Sequence, residues 1–151
     1  MSYAITEESF ASLVEALDQD RDFSIISGLG YKRNGHIHVN PPPPLIDDLD
    51  RLPPPARHLI AQDRYSSVLA KHTPITTMMT SRGCPMQCIF CDRPHLGKRF
   101  RYRSAASVVN EMQSCRDLDI KEIFIYDDTF SIRKDRVLDI CQGIRDRKID
   151  V

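Results

Sequence analysis

Seven of the chain's ten prolines fall between Pro41 and Pro55, in two blocks separated by Leu45-Ile-Asp-Asp-Leu-Asp-Arg-Leu52. Proline holds φ at about −65° and donates no backbone hydrogen bond, so neither a helix interior nor a central strand can run through these blocks. Residues 41–73 are therefore expected to form an extended, semi-rigid connector, with Ile46, Leu49 and Leu52 available to anchor it on a surface. The competing reading is a Pro-rich ligand for a recognition module. Either way the chain divides into a leading segment, residues 1–40, and a trailing segment, residues 74–151.

In the leading segment Thr6, followed by Glu7 and Glu8, reads as a helix N-terminus. Phe10, Leu13, Val14 and Leu17 then form one apolar stripe that ends near Gln19. Residues 29–33 and 36–39 flank Asn34-Gly35, the dipeptide best suited to a two-residue type I′ turn, so a small hairpin is expected. His36 and His38 share a face of its second strand, a pattern that more often marks a solvated face than a metal site.

The trailing segment alternates strand and helix patterns. Residues 75–80 (Ile-Thr-Thr-Met-Met-Thr) and 123–126 (Ile-Phe-Ile-Tyr) fit buried strands. Between them Ala105, Val108, Val109, Met112 and Cys115 repeat at helical spacing after a Ser104 cap. Val137, Leu138, Cys141 and Ile144 do so again after Ser131, and residues 149–151 can open a third strand. This order predicts an α/β fold with a parallel sheet built from right-handed crossovers. Cys115 and Cys141, on the apolar faces of their helices, read as core.

Lys plus Arg and Asp plus Glu both number 21, which excludes a global attraction to nucleic acid or an anionic membrane. No apolar run approaches the roughly 18 residues of a membrane span. The opening residues lack a secretory leader, and five cysteines cannot all pair within one chain. These features point to a cytoplasmic protein with free thiols.

Three of those cysteines fall within eight residues, in Thr80-Ser-Arg-Gly-Cys-Pro-Met-Gln-Cys-Ile-Phe-Cys91. Thiolates select soft centres: zinc, copper(I) or iron–sulfur. A zinc site would complete Cys84, Cys88 and Cys91 with His95. A 4Fe–4S cluster normally takes four cysteines, so three would leave one iron open for chemistry. Three unligated thiols acting as small hydrophobes are the plainest alternative. The cysteine loop follows the first strand and Asp127-Asp128 follows the second, so both meet at the sheet edge where parallel α/β folds bind ligands. Taken alone, the aspartate pair reads as a cap or a solvated turn. Arg93, Lys98, Arg99, Arg101 and Arg103, interleaved with Phe100 and Tyr102, can serve a single-stranded nucleic acid, although a solvated loop is the commoner meaning.

The C-x3-C-x2-C spacing, with Phe90 just before the last cysteine, resembles the signature loop of the radical S-adenosylmethionine (radical SAM) superfamily. Thr80-Ser-Arg-Gly-Cys-Pro85 and Ile123-Phe-Ile-Tyr-Asp-Asp-Thr-Phe130 resemble, more narrowly, the subgroup whose catalytic barrel follows a cobalamin-binding domain. The resemblance covers roughly residues 20–151. It implies the N-terminal part of a parallel (β/α) TIM-type barrel, preceded by the helix, the hairpin and a Pro-rich inter-domain linker.

The resemblance also implies roles. Cys84, Cys88 and Cys91 would hold a 4Fe–4S cluster whose open iron chelates S-adenosyl-L-methionine, with Phe90 near the adenine. Asp127 or Asp128 would meet the ammonium group, where the family often has Gly-Gly-Glu, and an arginine of residues 93–103 could meet the carboxylate. Reductive cleavage to a 5′-deoxyadenosyl radical would serve methyl transfer or radical rearrangement of a small-molecule or lipid-like substrate, with electrons from a flavodoxin or ferredoxin. No histidine sits in the subgroup's Asp-x-His-x-x-Gly cobalt-ligating frame, so cobalamin would come from a domain absent from this chain. Two strand–helix units cannot close a barrel and would leave an open sheet edge, so the chain is expected to be part of a larger enzyme. The alternatives are a non-catalytic Cys3His zinc module and a tRNA-modifying radical SAM enzyme.

Overall fold

The computed structural model describes residues 3–4, 9–91 and 97–150. The chain forms two compact units, Met1–Ile46 and Asp47–Val151, whose boundary lies inside the Pro-rich stretch.

In the first unit, β1 (Tyr3–Ala4) precedes helix α1 (Phe10–Asp18) and the hairpin strands β2 (Gly30–Arg33) and β3 (His36–Val39). The antiparallel order is β1-β2-β3, with Tyr31 opposite His38. Asn34 and Gly35 have φ of 52° and 83°, the two left-handed residues that a type I′ turn requires. Leu13, Ala16, Ile26, Leu29 and Tyr31 form the core. Phe23 meets the Tyr31 ring edge-on at 5.8 Å. The Asn40 side-chain amide donates to the carbonyls of Phe23 (2.7 Å) and Ile26 (2.8 Å), closing the loop between helix and hairpin. His38 stacks on Tyr31 at 5.1 Å.

The apolar stripe of α1 is only partly buried. Phe10, Val14 and Leu17 are each at least half exposed, and the packed face is Leu13 with Ala16. Thr6, Glu7 and Glu8, expected to start this helix, lie outside the described residues.

The second unit contains strands β4 (Ile75–Met78), β5 (Ser81–Arg82) and β6 (Arg101–Tyr102), helix α2 (Ala105–Asp117), strand β7 (Glu122–Ile125) and helix α3 (Lys134–Asp146). Strands β4 and β7 are parallel, with Ile75 opposite Glu122 and Met78 opposite Ile125, so the fold is α/β with a parallel pair at its centre. The ladder continues past the strand ends, Tyr126 N–H donating to the Met78 carbonyl at 2.9 Å. The Ser104 hydroxyl caps α2 by accepting from Ser107 N–H at 3.1 Å.

Met78, Val108, Val109, Met112, Cys115, Ile120, Ile140 and Ile149 form the core, with Ile123 and Ile125 packed against it. Helices α2 and α3 approach so closely that a Cβ on Gly143 would lie 2.9 Å from a Val109 methyl. Four expectations need correction here. Strand β7 is half-buried along its length because the core lies on one side of the pair. Cys141 is exposed, as is Leu138, and the inward residues of α3 are Arg136 and Ile140. Ser131 lies in a short 3-10 turn, Phe130–Ile132, and the residue preceding α3 is Arg133, which makes no side-chain cap. Ile149 and Asp150 form no strand: Ile149 is buried, its N–H returning to the Ile144 carbonyl at 3.1 Å.

Between the proline blocks a 3-10 turn, Leu49–Arg51, buries Leu49. Beyond them, buried Arg57 donates to the Thr77 carbonyl (2.8 Å) and the Thr76 hydroxyl (3.2 Å), and pairs at 2.6 Å with buried Glu111. Arg103 pairs with the other Glu111 oxygen. Among the described residues no helix is long and apolar enough to cross a membrane. Replacing Glu111 by Ala would leave two guanidinium groups facing a buried void. Denaturant unfolding should show a loss of about 3–5 kcal/mol, the usual cost of stranding a buried charge.

Candidate metal centre

The cysteine loop leaves the C-terminal end of β4 and is pinched at its neck. Strands β5 and β6 pair antiparallel, Ser81 opposite Tyr102 and Arg82 opposite Arg101. Arg103 N–H donates to the Thr80 carbonyl at 2.9 Å, and Cys84 N–H to the Gly97 carbonyl at 3.2 Å. Gly83 turns the chain out of β5 with φ of 81°, a left-handed conformation that side chains resist.

Cys84 is partly buried, Cys88 and Cys91 are exposed, and none is in a disulfide. Cys91 N–H donates to the Cys88 carbonyl at 3.1 Å, so these two thiols flank one turn. Phe90 projects into solvent, 89% exposed, rather than packing on the protein. The expected convergence of the three sulfurs is not present. Among the described residues no three His, Cys, Asp or Glu side chains surround a common metal position. His95, the proposed fourth zinc ligand, lies outside the described residues together with Arg93. By its chemistry the donor set nonetheless fits a soft centre: three cysteine sulfurs outside any disulfide, two of them exposed, on a loop whose neck is fixed. Cys115 does not compete, because burial pushes its thiol pKa up and keeps it neutral.

The aspartate pair divides into two environments. Both oxygens of Asp127 are engaged. Oδ1 accepts from Thr80 N–H (2.6 Å) and Ser81 N–H (3.1 Å), and Oδ2 from the hydroxyls of Thr80 (2.5 Å) and Ser81 (2.7 Å). A carboxylate has about four acceptor positions, and all are used here. Asp128 is exposed.

Arg136, only 4% exposed, completes the junction. It donates to the carbonyls of Thr80 (2.9 Å) and Arg103 (2.8 Å) and lies over the rings of Tyr102 (5.6 Å) and Phe130 (5.8 Å). Burial lowers the pKa of its guanidinium, opposed chiefly by the nearby Asp127 charge. Sequence reasoning missed Arg136 and gave Thr80 and Ser81 no role. The available signal was a charged residue one turn before Ile140, on the face of α3 that turns inward.

The basic segment does not form one surface. Arg101 is buried in the neck, Arg103 is turned to Glu111 and Ser107, and Arg99 pairs with Asp47. A continuous nucleic-acid-binding stripe is therefore not present among the described members of that segment.

The family model described as the radical SAM superfamily matches residues 78–150, from the last residue of β4 to beyond α3. Residues 78–150 belong to the radical SAM superfamily. The chain is 40% identical over 147 residues to an uncharacterized methyltransferase of Pyrococcus horikoshii, covering 96% of this chain and 31% of that protein. It is 26% identical to the anaerobic magnesium-protoporphyrin IX monomethyl ester cyclase of Rubrivivax gelatinosus, covering 96% of this chain and 27% of that one. A solved radical S-adenosylmethionine methyltransferase, TsrM of Kitasatospora setae with cobalamin and a 4Fe–4S cluster bound, has the same fold. It superposes with a TM-score of 0.65 at 22% identity, covering 97% of this chain and 30% of that one. The chain thus spans about a third or less of the length of these relatives.

Gly83→Ala should lower stability by about 1–2 kcal/mol, the cost of a Cβ in left-handed backbone. Gly83→Asn should cost less, because Asn tolerates that conformation; thermal unfolding of the two variants checks the order.

Proposed function

We propose that this chain carries the cluster-binding part of a radical SAM enzyme, and that Cys84, Cys88 and Cys91 ligate three irons of a 4Fe–4S cluster. The observation that carries this reading is the C-x3-C-x2-C loop at the C-terminal end of β4, beside the aspartates that follow the adjacent parallel strand β7. When bound, the cluster and S-adenosyl-L-methionine supply one-electron reductive cleavage of the sulfonium carbon–sulfur bond. The protein's part is placement. The neck formed by β5 and β6 fixes where the cysteine loop starts, and exposed Phe90 offers a ring for the adenine to pack on. Between the two aspartates, Asp128 is the one we assign to the ammonium group, because the acceptor positions of Asp127 are filled.

In this reading the succession β4-α2-β7-α3 opens a TIM-type barrel, residues 74–151 belong to the radical SAM core, residues 41–73 are linker, and residues 1–40 are inter-domain material. The relatives' names, a methyltransferase and a cyclase, support methyl transfer or radical rearrangement, and we assign it to a small-molecule or lipid-like substrate. Cobalamin, bound in the Kitasatospora enzyme, would be held by a domain other than those described here. A flavodoxin or ferredoxin of the cytoplasm would deliver the electron.

Anaerobic reconstitution followed by metal and sulfide analysis tests the assignment. Cys84→Ser, Cys88→Ser and Cys91→Ser should each lose most of the bound iron and labile sulfide, whereas His95→Ala should keep both. Stoichiometric zinc in the parent chain, lost in His95→Ala, would replace the cluster by a Cys3His zinc site.

A further inference from the structure

The neck of the cysteine loop is held by two side chains whose joint role neither the family match nor the relatives' names assign. Thr80 and Ser81 are fully buried, at 0% and 1% exposure. Their two N–H groups and two hydroxyls all end on Asp127, 47 and 46 residues further along the chain. Removing that carboxylate would leave four buried donors without their acceptor, each a desolvated polar group. The Thr80 carbonyl is claimed as well, by Arg136 at 2.9 Å and by Arg103 N–H at 2.9 Å. Arg136 reaches the Arg103 carbonyl too, at 2.8 Å, so one guanidinium grips the chain where it enters the loop and where it leaves. A buried cation is costly unless opposed, and Asp127 supplies the opposing charge. Only Arg82 and Gly83 separate this locked position from Cys84.

We infer that Asp127 and Arg136 are positioning residues: they lock the neck of the loop, and Asp127 acts on the cluster through Thr80 and Ser81 rather than by touching the cofactor. The inference rests on the cluster reading given above. It assigns adjacent aspartates to different tasks, the neck lock to Asp127 and the cofactor's ammonium to Asp128.

The geometry provides a discriminating substitution. Both backbone N–H groups converge on Oδ1 and both hydroxyls on Oδ2. An asparagine can therefore keep Oδ1 in place and donate its amide to the two hydroxyls, which rotate to accept. The whole chain and its variants would be reconstituted anaerobically. Iron release to a chelator and the electron paramagnetic resonance (EPR) spectrum, with and without S-adenosylmethionine, are then measured. Asp127→Asn, which keeps the four contacts but not the charge that opposes Arg136, should release iron more slowly than Asp127→Ala and keep the cofactor-induced spectral change. Asp127→Ala should release it roughly tenfold faster or more, given the hydrogen bonds lost. Arg136→Lys should also release it faster, since one ammonium cannot reproduce the fork that spans both carbonyls. Asp128→Asn should retain the cluster and lose the spectral response.

Loss of the spectral response in Asp127→Asn with the cluster retained would overturn the inference, because the carboxylate would then be touching the cofactor. Parent-like iron retention in Asp127→Ala would overturn it equally. If Asp127→Ala fails to fold by circular dichroism, the double variant Thr80→Val with Ser81→Ala removes only the hydroxyl donors. A several-fold faster release supports the lock, and an unchanged rate contradicts it. If the parent chain takes up zinc or no metal, the cluster reading fails and the lock is decided by hydrogen exchange. Thr80 and Ser81 amides exchanging faster in Asp127→Ala than in Asp127→Asn support it, and equal exchange overturns it.

Discussion

The carboxylate of Asp127 stands where the two halves of the second unit have to agree. It follows β7, while its four hydrogen-bond donors follow β4, so the parallel register of the two strands brings it within reach of Thr80 and Ser81. A slip of that register would carry the carboxylate away from all four donors. The exit from β4 is thereby fixed, β5 and β6 can pair across the neck, and the cysteines begin from a defined point. The strand ladder supplies the register, and the charge-assisted hydrogen bonds convert it into a loop position.

The rest of the unit supports this junction with charge as well as with apolar packing. Glu111 lies between Arg57 and Arg103, joining the segment after the prolines to α2 and to the strand that leaves the neck. Arg136 lies against Tyr102 and Phe130 and reaches both ends of the neck from α3. Such buried pairs add little net stability over apolar residues of the same shape, but they are costly to break. They also fix direction, since each guanidinium must meet particular carbonyl oxygens. The apolar core beneath, tightened where Gly143 meets Val109, holds the two helices that carry Glu111 and Arg136.

Much of the architecture was legible in the sequence because it rests on local signals. Asn34-Gly35 specified its turn through two left-handed residues, Ser104 specified a helix start through one hydroxyl, and the β-branched run at residues 75–77 together with Ile123 and Ile125 specified the parallel pair. Where the reading failed, the missing information was non-local. Periodicity marked apolar stripes on α1 and α3 but could not say which edge a neighbour would cover, so Val14, Leu138 and Cys141 came out exposed. The candidate site was legible as residue types and spacing. Its anchoring was not, because the partners of Thr80 and Ser81 lie far along the chain and a buried arginine on α3 breaks the apolar pattern that guides core assignment. The open arrangement of Cys84, Cys88 and Cys91 was equally beyond reach, since spacing fixes how far apart thiols can be and not how a loop is folded around them.

The proposed site has three cysteines holding a cluster with one iron left for the cofactor. Mössbauer spectroscopy of the chain reconstituted with 57Fe, before and after addition of S-adenosylmethionine, reads that iron on its own. A 4Fe–4S spectrum in which a single iron environment changes when the cofactor is added is expected. A cluster whose irons all remain unchanged, or a folded protein that takes up no iron, would contradict it.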